Sequence, residues 1–146
     1  MVAVAGIASG WGSSAWAAPW GAFGIQVAVG TLLGYAGGLV GAQAASALVQ
    51  ALGVGTVQGV LAPVLAAYVG YAVGSTLGAG LGVVGVGWRL GIPGDPWAGL
   101  FGAGVGTGLA FLLASFADWE WAFCLSPPLS ALFATLAFTS ALRAPP

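Results

Sequence analysis

Charge is the first thing this chain goes without. Only 3% of its 146 residues are charged while 60% are hydrophobic, and its mean hydropathy is +1.04. A soluble domain carries roughly a quarter charged residues, so the composition excludes a soluble globular protein. With two basic residues and a net charge of -1, there is nothing to displace counterions from a phosphate backbone, and nucleic-acid binding is excluded. Histidine is absent and cysteine occurs once, at Cys124. An ordinary zinc or haem site and an intrachain disulfide fall with them, and Cys124 reads as a small apolar filler.

Two further absences bear on function. No Lys or Arg precedes Arg89, so residues 1–19 lack the positive start of a secretory signal, although Ala15-Trp16-Ala17 looks like a cleavage triplet. That segment is read as a retained apolar arm. Nor does any Asp, Glu, Lys or Arg fall inside a predicted membrane span, which leaves no proton relay and no ion path to expect.

What the chain has instead is glycine, 27 residues of it. The most regular run is Gly70, Gly74, Gly78 and Gly82, one glycine every fourth position. On an α-helix this draws a stripe without side chains, along which a second helix can pack backbone to backbone. In water each interior glycine would cost about 1 kcal/mol against alanine. In a bilayer no water competes for the backbone, and close packing is the main source of helix association. The stripe therefore reads as a membrane helix-packing seam.

The length suffices for about four spans of ~20 residues. The expected fold is all-α, four glycine-rich transmembrane helices joined through GxxxG seams. Span one covers about 20–52, with Gly30, Gly34 and Gly38 in one series and Gly37, Gly41 and Ala45 in a second beside it. At 1.5 Å per residue it is about 48 Å long, more than the ~30 Å hydrocarbon core, so it must tilt, kink or protrude. Gln43 and Gln50 suggest that its far end leaves the lipid. A link at Gly53, Gly55 and Thr56 leads to span two, about 57–88, with Pro63 inside it and the glycine stripe as its main seam. Tyr68 and Tyr71 flank that stripe and their hydroxyls need partners. Its natural partner helix is span one, through Gly30, Gly34 and Gly38.

After the loop holding Arg89, Gly91, Pro93 and Gly94, Asp95 and Pro96 open span three, about 96–116, as N-cap and first helical residue. Gly102 with Gly106, and Gly104 with Gly108, continue the small-residue pattern. Ser126-Pro127-Pro128 is expected to open span four, about 127–143, by the same chemistry, leaving 144–146 as a tail. Span four has no glycine, and its Leu and Phe residues are expected to face lipid or another protein. The tryptophans agree with this layout, since they prefer the headgroup boundary: Trp20, Trp88, Trp97, Trp119 and Trp121 all lie at span ends and serve as interface anchors.

Catalysis finds little to work with. The five charged side chains are Arg89, Asp95, Asp118, Glu120 and Arg143. Arg89 and Asp95 could pair across their loop, and Asp118 with Glu120 read as interfacial anchors because no third polar group near them could position a substrate. Gly102, Gly104 and Gly106 are no nucleotide loop, which would require a strand, a loop and a later acid in a βαβ unit.

One stretch carries a resemblance. Arg89, then Asp95-Pro96-Trp97 opening a helix that contains Gly102 and Gly106, resembles the signature of the mitochondrial inner-membrane Tim translocase family of four-helix proteins. The likeness spans about residues 20–143 and is closest to the family's Tim-like accessory subunit of respiratory complex I, where a Gly-Thr pair, here Gly55-Thr56, also precedes span two. Ala98 stands where the family usually has asparagine, and the loop lacks a second basic residue. The polar residues that line the lateral cavity of true translocase subunits have no counterpart within the spans. The resemblance therefore implies a non-catalytic accessory subunit that stabilises the membrane arm of complex I, without a cofactor of its own. Its partners would be other membrane-arm subunits, membrane lipid such as cardiolipin, and a neighbouring respiratory complex. The alternative it implies is a subunit of an inner-membrane protein translocase. The family places both termini in the intermembrane space, whereas the positive-inside rule would put the arginine side in the matrix.

Overall fold

The computed structural model describes residues 17–53, 61–118 and 120–140. The expectations about the N-terminal arm, the Gly55-Thr56 pair, Trp119, Arg143 and the C-terminal tail fall outside these residues. Four helices make up nearly all of the described chain: α1 (Ala17–Ala51), α2 (Leu61–Arg89), α3 (Pro96–Ala114) and α4 (Glu120–Ser140). Each is long and apolar enough to cross a membrane. The chain is an all-α, multi-pass membrane protein.

Helix ends follow from local chemistry. Asp95 caps α3 with its carboxylate, accepting the Trp97 amide at 2.9 Å, and Pro96 fills the first helical position where no amide partner is needed. Asp95 thus serves the helix, and no ion pair joins it to Arg89 among the described residues. Arg89 lies instead in the last turn of α2, where its charge suits the carbonyl end of the helix dipole. That helix closes in a Schellman motif: Gly91 adopts φ +65°, its amide donates to Trp88 O at 3.2 Å, and the Ile92 amide donates to Gly87 O at 2.9 Å.

Helix α4 departs from expectation in two ways. It begins at Glu120, seven residues before Pro127, so Pro127 and Pro128 lie inside it instead of opening it. A proline inside a membrane helix persists when neighbouring helices supply what its ring removes, and here they do, as described below. Nor do all of its Leu and Phe residues face outward, since Phe138 is buried. Ser126, Pro127, Ser130, Ala131, Ala134, Thr135 and Phe138 are buried, and the helix packs against all three others, as α2 also does. Small residues allow this contact as glycine would, while Leu136 alone of its larger side chains stands well exposed beside Trp121. Phe138 is fully buried with Val83, Val84, Ala103 and Ala134, because Gly87 and Gly94 leave the space its ring fills.

Lengths differ sharply between the two hairpins. At 1.5 Å per residue, the 35 residues of α1 and 29 of α2 extend about 52 and 43 Å, whereas the 19 of α3 and 21 of α4 extend about 28 and 31 Å. Tyr35 lies level with Cys124 near the start of α4, so α1 continues past the short hairpin, carrying the exposed Leu48 and leading into the exposed Leu52.

Candidate functional site

The centre of the molecule is a set of packing seams, and the most regular of them lies on α2. Gly70, Gly74, Gly78 and Gly82 face α1. Gly70 meets Gly41, Gly74 meets Gly37, Gly78 meets the Leu33 carbonyl, and Gly82 meets Gly30, all in antiparallel register. A Cβ placed on Gly37, Gly41, Gly70, Gly74 or Gly78 would overlap a carbonyl of the opposite helix. The two backbones touch directly, close enough for Cα–H···O contacts.

The partner stripe on α1 is thus chiefly Gly37 and Gly41 with Gly30, not the full Gly30, Gly34, Gly38 series. Gly34 lies against Gly78 and Ala79 of α2 and also meets Pro127 of α4. Gly38 makes room for the Tyr71 ring, whose Cε2 would lie 2.6 Å from an added Cβ. Two stripes one position apart on a helix differ by about 100°, and glycine spacing alone does not say which one meets the neighbour.

Between α3 and α4 the same device operates. Gly102 packs on the Phe133 carbonyl and Ala137, and Gly106 on Leu129 and Ser130. Gly104 and Gly108 do not: the nearest atom to an added Cβ at Gly104 is Thr76 Cγ2 at 4.0 Å, and Gly108 has no neighbour within 4 Å. They line a shallow, outward-opening groove of about 410 Å³ between α2 and α3, walled by Val73, Leu77 and Phe111.

The spans hold no charged side chain, yet a line of polar groups runs through the middle. Ser130, Thr107 and Thr76 hydroxyls are joined in series at 2.6 and 2.7 Å, and Thr76 donates onward to the Ala72 carbonyl at 2.8 Å. That last step fixes the direction of the chain, Ser130 to Thr107 to Thr76 to backbone, and uses every hydroxyl proton in it. Ser75 and Ser126 pair separately at 2.9 Å. Gln26, 1% exposed, donates from Nε2 to Val83 O at 3.3 Å. Two tyrosines complete the set: Tyr71 donates to Phe123 O at 2.8 Å and Tyr35 to Cys124 O at 2.7 Å. Among the described residues, no buried side-chain nitrogen or oxygen lacks a partner. In sequence, the signals for this set were Tyr71, whose hydroxyl needs a partner, and Ser126 with Ser130 four apart, which puts both hydroxyls on one helical face.

The remaining sequence-predicted residues sit at the ends. Trp20, Trp88 and Trp97 are exposed at one end of the bundle and Trp121 at the other. Asp118 and Glu120 are exposed, with the Asp118 carbonyl accepting the Trp121 amide at 3.0 Å. No group of three or more His, Cys, Asp or Glu residues converges as a metal site among the described residues. No family model, curated protein or solved structure matches this chain.

Proposed function

We propose that this chain is a non-catalytic structural subunit of a larger membrane assembly. The observation that carries the reading is the overlong hairpin. A bilayer core of ~30 Å is matched by α3 and α4, while α1 and α2 continue beyond it with Leu48, Leu61 and Leu65 exposed. Apolar surface that outreaches the lipid is surface for another protein. The interior supports the same role: the hydroxyl protons are consumed within the bundle and the seams are backbone on backbone, which suits rigid packing and leaves little to bind or turn over a substrate.

The finer assignment, to mitochondrial respiratory complex I in the inner membrane, rests on the resemblance at Arg89 and Asp95-Pro96-Trp97. In that setting the protein would stabilise the membrane arm, contact lipid such as cardiolipin, and touch a neighbouring respiratory complex. The test is purification of the assembly in mild detergent and identification of its chains. Co-purification with NADH dehydrogenase activity supports the assignment; co-purification with import machinery and no such activity sinks it, and a chain that purifies alone sinks the structural reading altogether.

One observation favours the translocase alternative. The groove between α2 and α3 opens sideways with Thr76 and Thr107 in an otherwise apolar lining, a lateral opening along which a polar segment would have to pass. Single cysteines at Thr76, Gly104 and Thr107, in a chain whose Cys124 is replaced by alanine, should stay protected from a water-soluble maleimide if the role is structural. Labelling at these mid-membrane positions would favour the translocase.

A further inference from the structure

In an α-helix each amide donates to the carbonyl four residues earlier. Pro127 and Pro128 have no amide to give, so the carbonyls that go without are those of Phe123 and Cys124. These are the two carbonyls that receive the tyrosine hydroxyls, Phe123 O from Tyr71 and Cys124 O from Tyr35. The match is one to one and in register. The donors come from two other helices, α2 and α1, that lie far away in sequence.

We infer that Pro127 and Pro128 form a hinge in α4 and that Tyr71 and Tyr35 are its latch. Each hydroxyl stands in for one missing amide. The segment Glu120–Ser126 is then tied to α2 and α1 through interhelical bonds at the very point where the helix's own ladder is interrupted. Other contacts on that segment reinforce the latch from the same side: the Phe123 ring meets Tyr71 edge-on, centroids 4.8 Å apart, and Ser126 pairs with Ser75 of α2. Gly38 has a defined task in this arrangement, since only a residue without Cβ leaves room for the Tyr71 ring. With the latch closed, α4 is continuous and the bundle is sealed at this end. With it open, two carbonyls in an apolar setting need water, and the segment must move toward the membrane surface to find it.

Cys124, the only cysteine in the chain, lies on the outer face of the segment, in contact with lipid while the latch is closed, and reports on the segment's move to water without any engineered label. The experiment measures alkylation of Cys124 by a membrane-impermeant maleimide in the full-length protein in lipid vesicles. Tyr71→Phe and Tyr35→Phe should each speed labelling about tenfold, the loss of one net hydrogen bond. The register then gives the decisive arm. Pro127→Ala restores the amide that bonds Phe123 O and should suppress the effect of Tyr71→Phe but not of Tyr35→Phe. Pro128→Ala restores the bond to Cys124 O and should suppress that of Tyr35→Phe but not of Tyr71→Phe. If a tyrosine variant fails to accumulate in the membrane, its matched alanine must restore it. Unchanged labelling in both tyrosine variants, or rescue that ignores the pairing, overturns the inference.

Discussion

Substituting Gly74 with alanine adds one methyl group to the centre of the α1–α2 seam, at a point where it would overlap the Gly37 carbonyl and come within 3.2 Å of Gly41 Cα. Neither neighbour is a flexible side chain, so the helices must separate. Separation weakens the reciprocal Gly37–Gly74 approach first and the Gly41–Gly70 approach next. Each Cα–H···O contact is worth about 0.5–1 kcal/mol, and forcing volume into a packed core costs about 1–3 kcal/mol. Against this stands the better helix propensity of alanine, about 1 kcal/mol. The net expectation is a destabilisation of about 2 kcal/mol. Gly85→Ala is the control on the same helix, since an added Cβ there meets nothing within 4 Å; it keeps the propensity gain and incurs none of the loss. Reversible unfolding in mixed SDS micelles, followed by tryptophan fluorescence, measures both. Gly74→Ala as stable as the parent, or Gly85→Ala as damaged as Gly74→Ala, would refute the backbone-contact account.

Other perturbations probe the remaining contacts. Phe138→Ala empties the space framed by Gly87 and Gly94, and the same unfolding assay should register a loss of about 3–5 kcal/mol. Thr107→Val interrupts the hydroxyl series between Ser130 and Thr76 and leaves buried polar atoms unpaired, for a loss of about 1–3 kcal/mol. Thr139→Val should change stability by less than about 0.5 kcal/mol, because that hydroxyl bonds only to carbonyls of its own helix. Asp95→Ala removes the α3 cap at a cost of about 1 kcal/mol, while Asp95→Asn, an equally good cap, should retain most of that stability.

Helix number and membrane character were legible because they rest on composition and length, which tertiary structure cannot override. The α3 start was equally plain, since Asp95-Pro96 is local chemistry that caps any helix it precedes. The seams were half legible. The Gly70 to Gly82 stripe lies against α1, but the choice between the two glycine series of α1 depends on how Tyr71 and Pro127 crowd the bundle, and both act across long stretches of sequence. Pro127-Pro128 misled for a related reason. A proline pair marks a helix start only if nothing else can satisfy the carbonyls behind it, and here Tyr35 and Tyr71 satisfy them. The hydroxyl network left almost no trace, because isolated Ser, Thr and Gln residues in apolar helices have no periodicity. They become a network only once α2, α3 and α4 are in contact. Position in the fold, not residue type, also decided that Phe138 belongs to the core and not to the lipid.

The central claim is that the chain works by packing, first within itself and then against other proteins. Native gel electrophoresis of mildly solubilised membranes tests it by comparing the parent with Gly78→Leu, which drives a large side chain into the Leu33 carbonyl of α1. The account predicts that the parent migrates in an assembly far larger than its own 14.2 kDa and that Gly78→Leu drops out of it. A parent that migrates alone, or a Gly78→Leu chain that stays in the assembly, would contradict it.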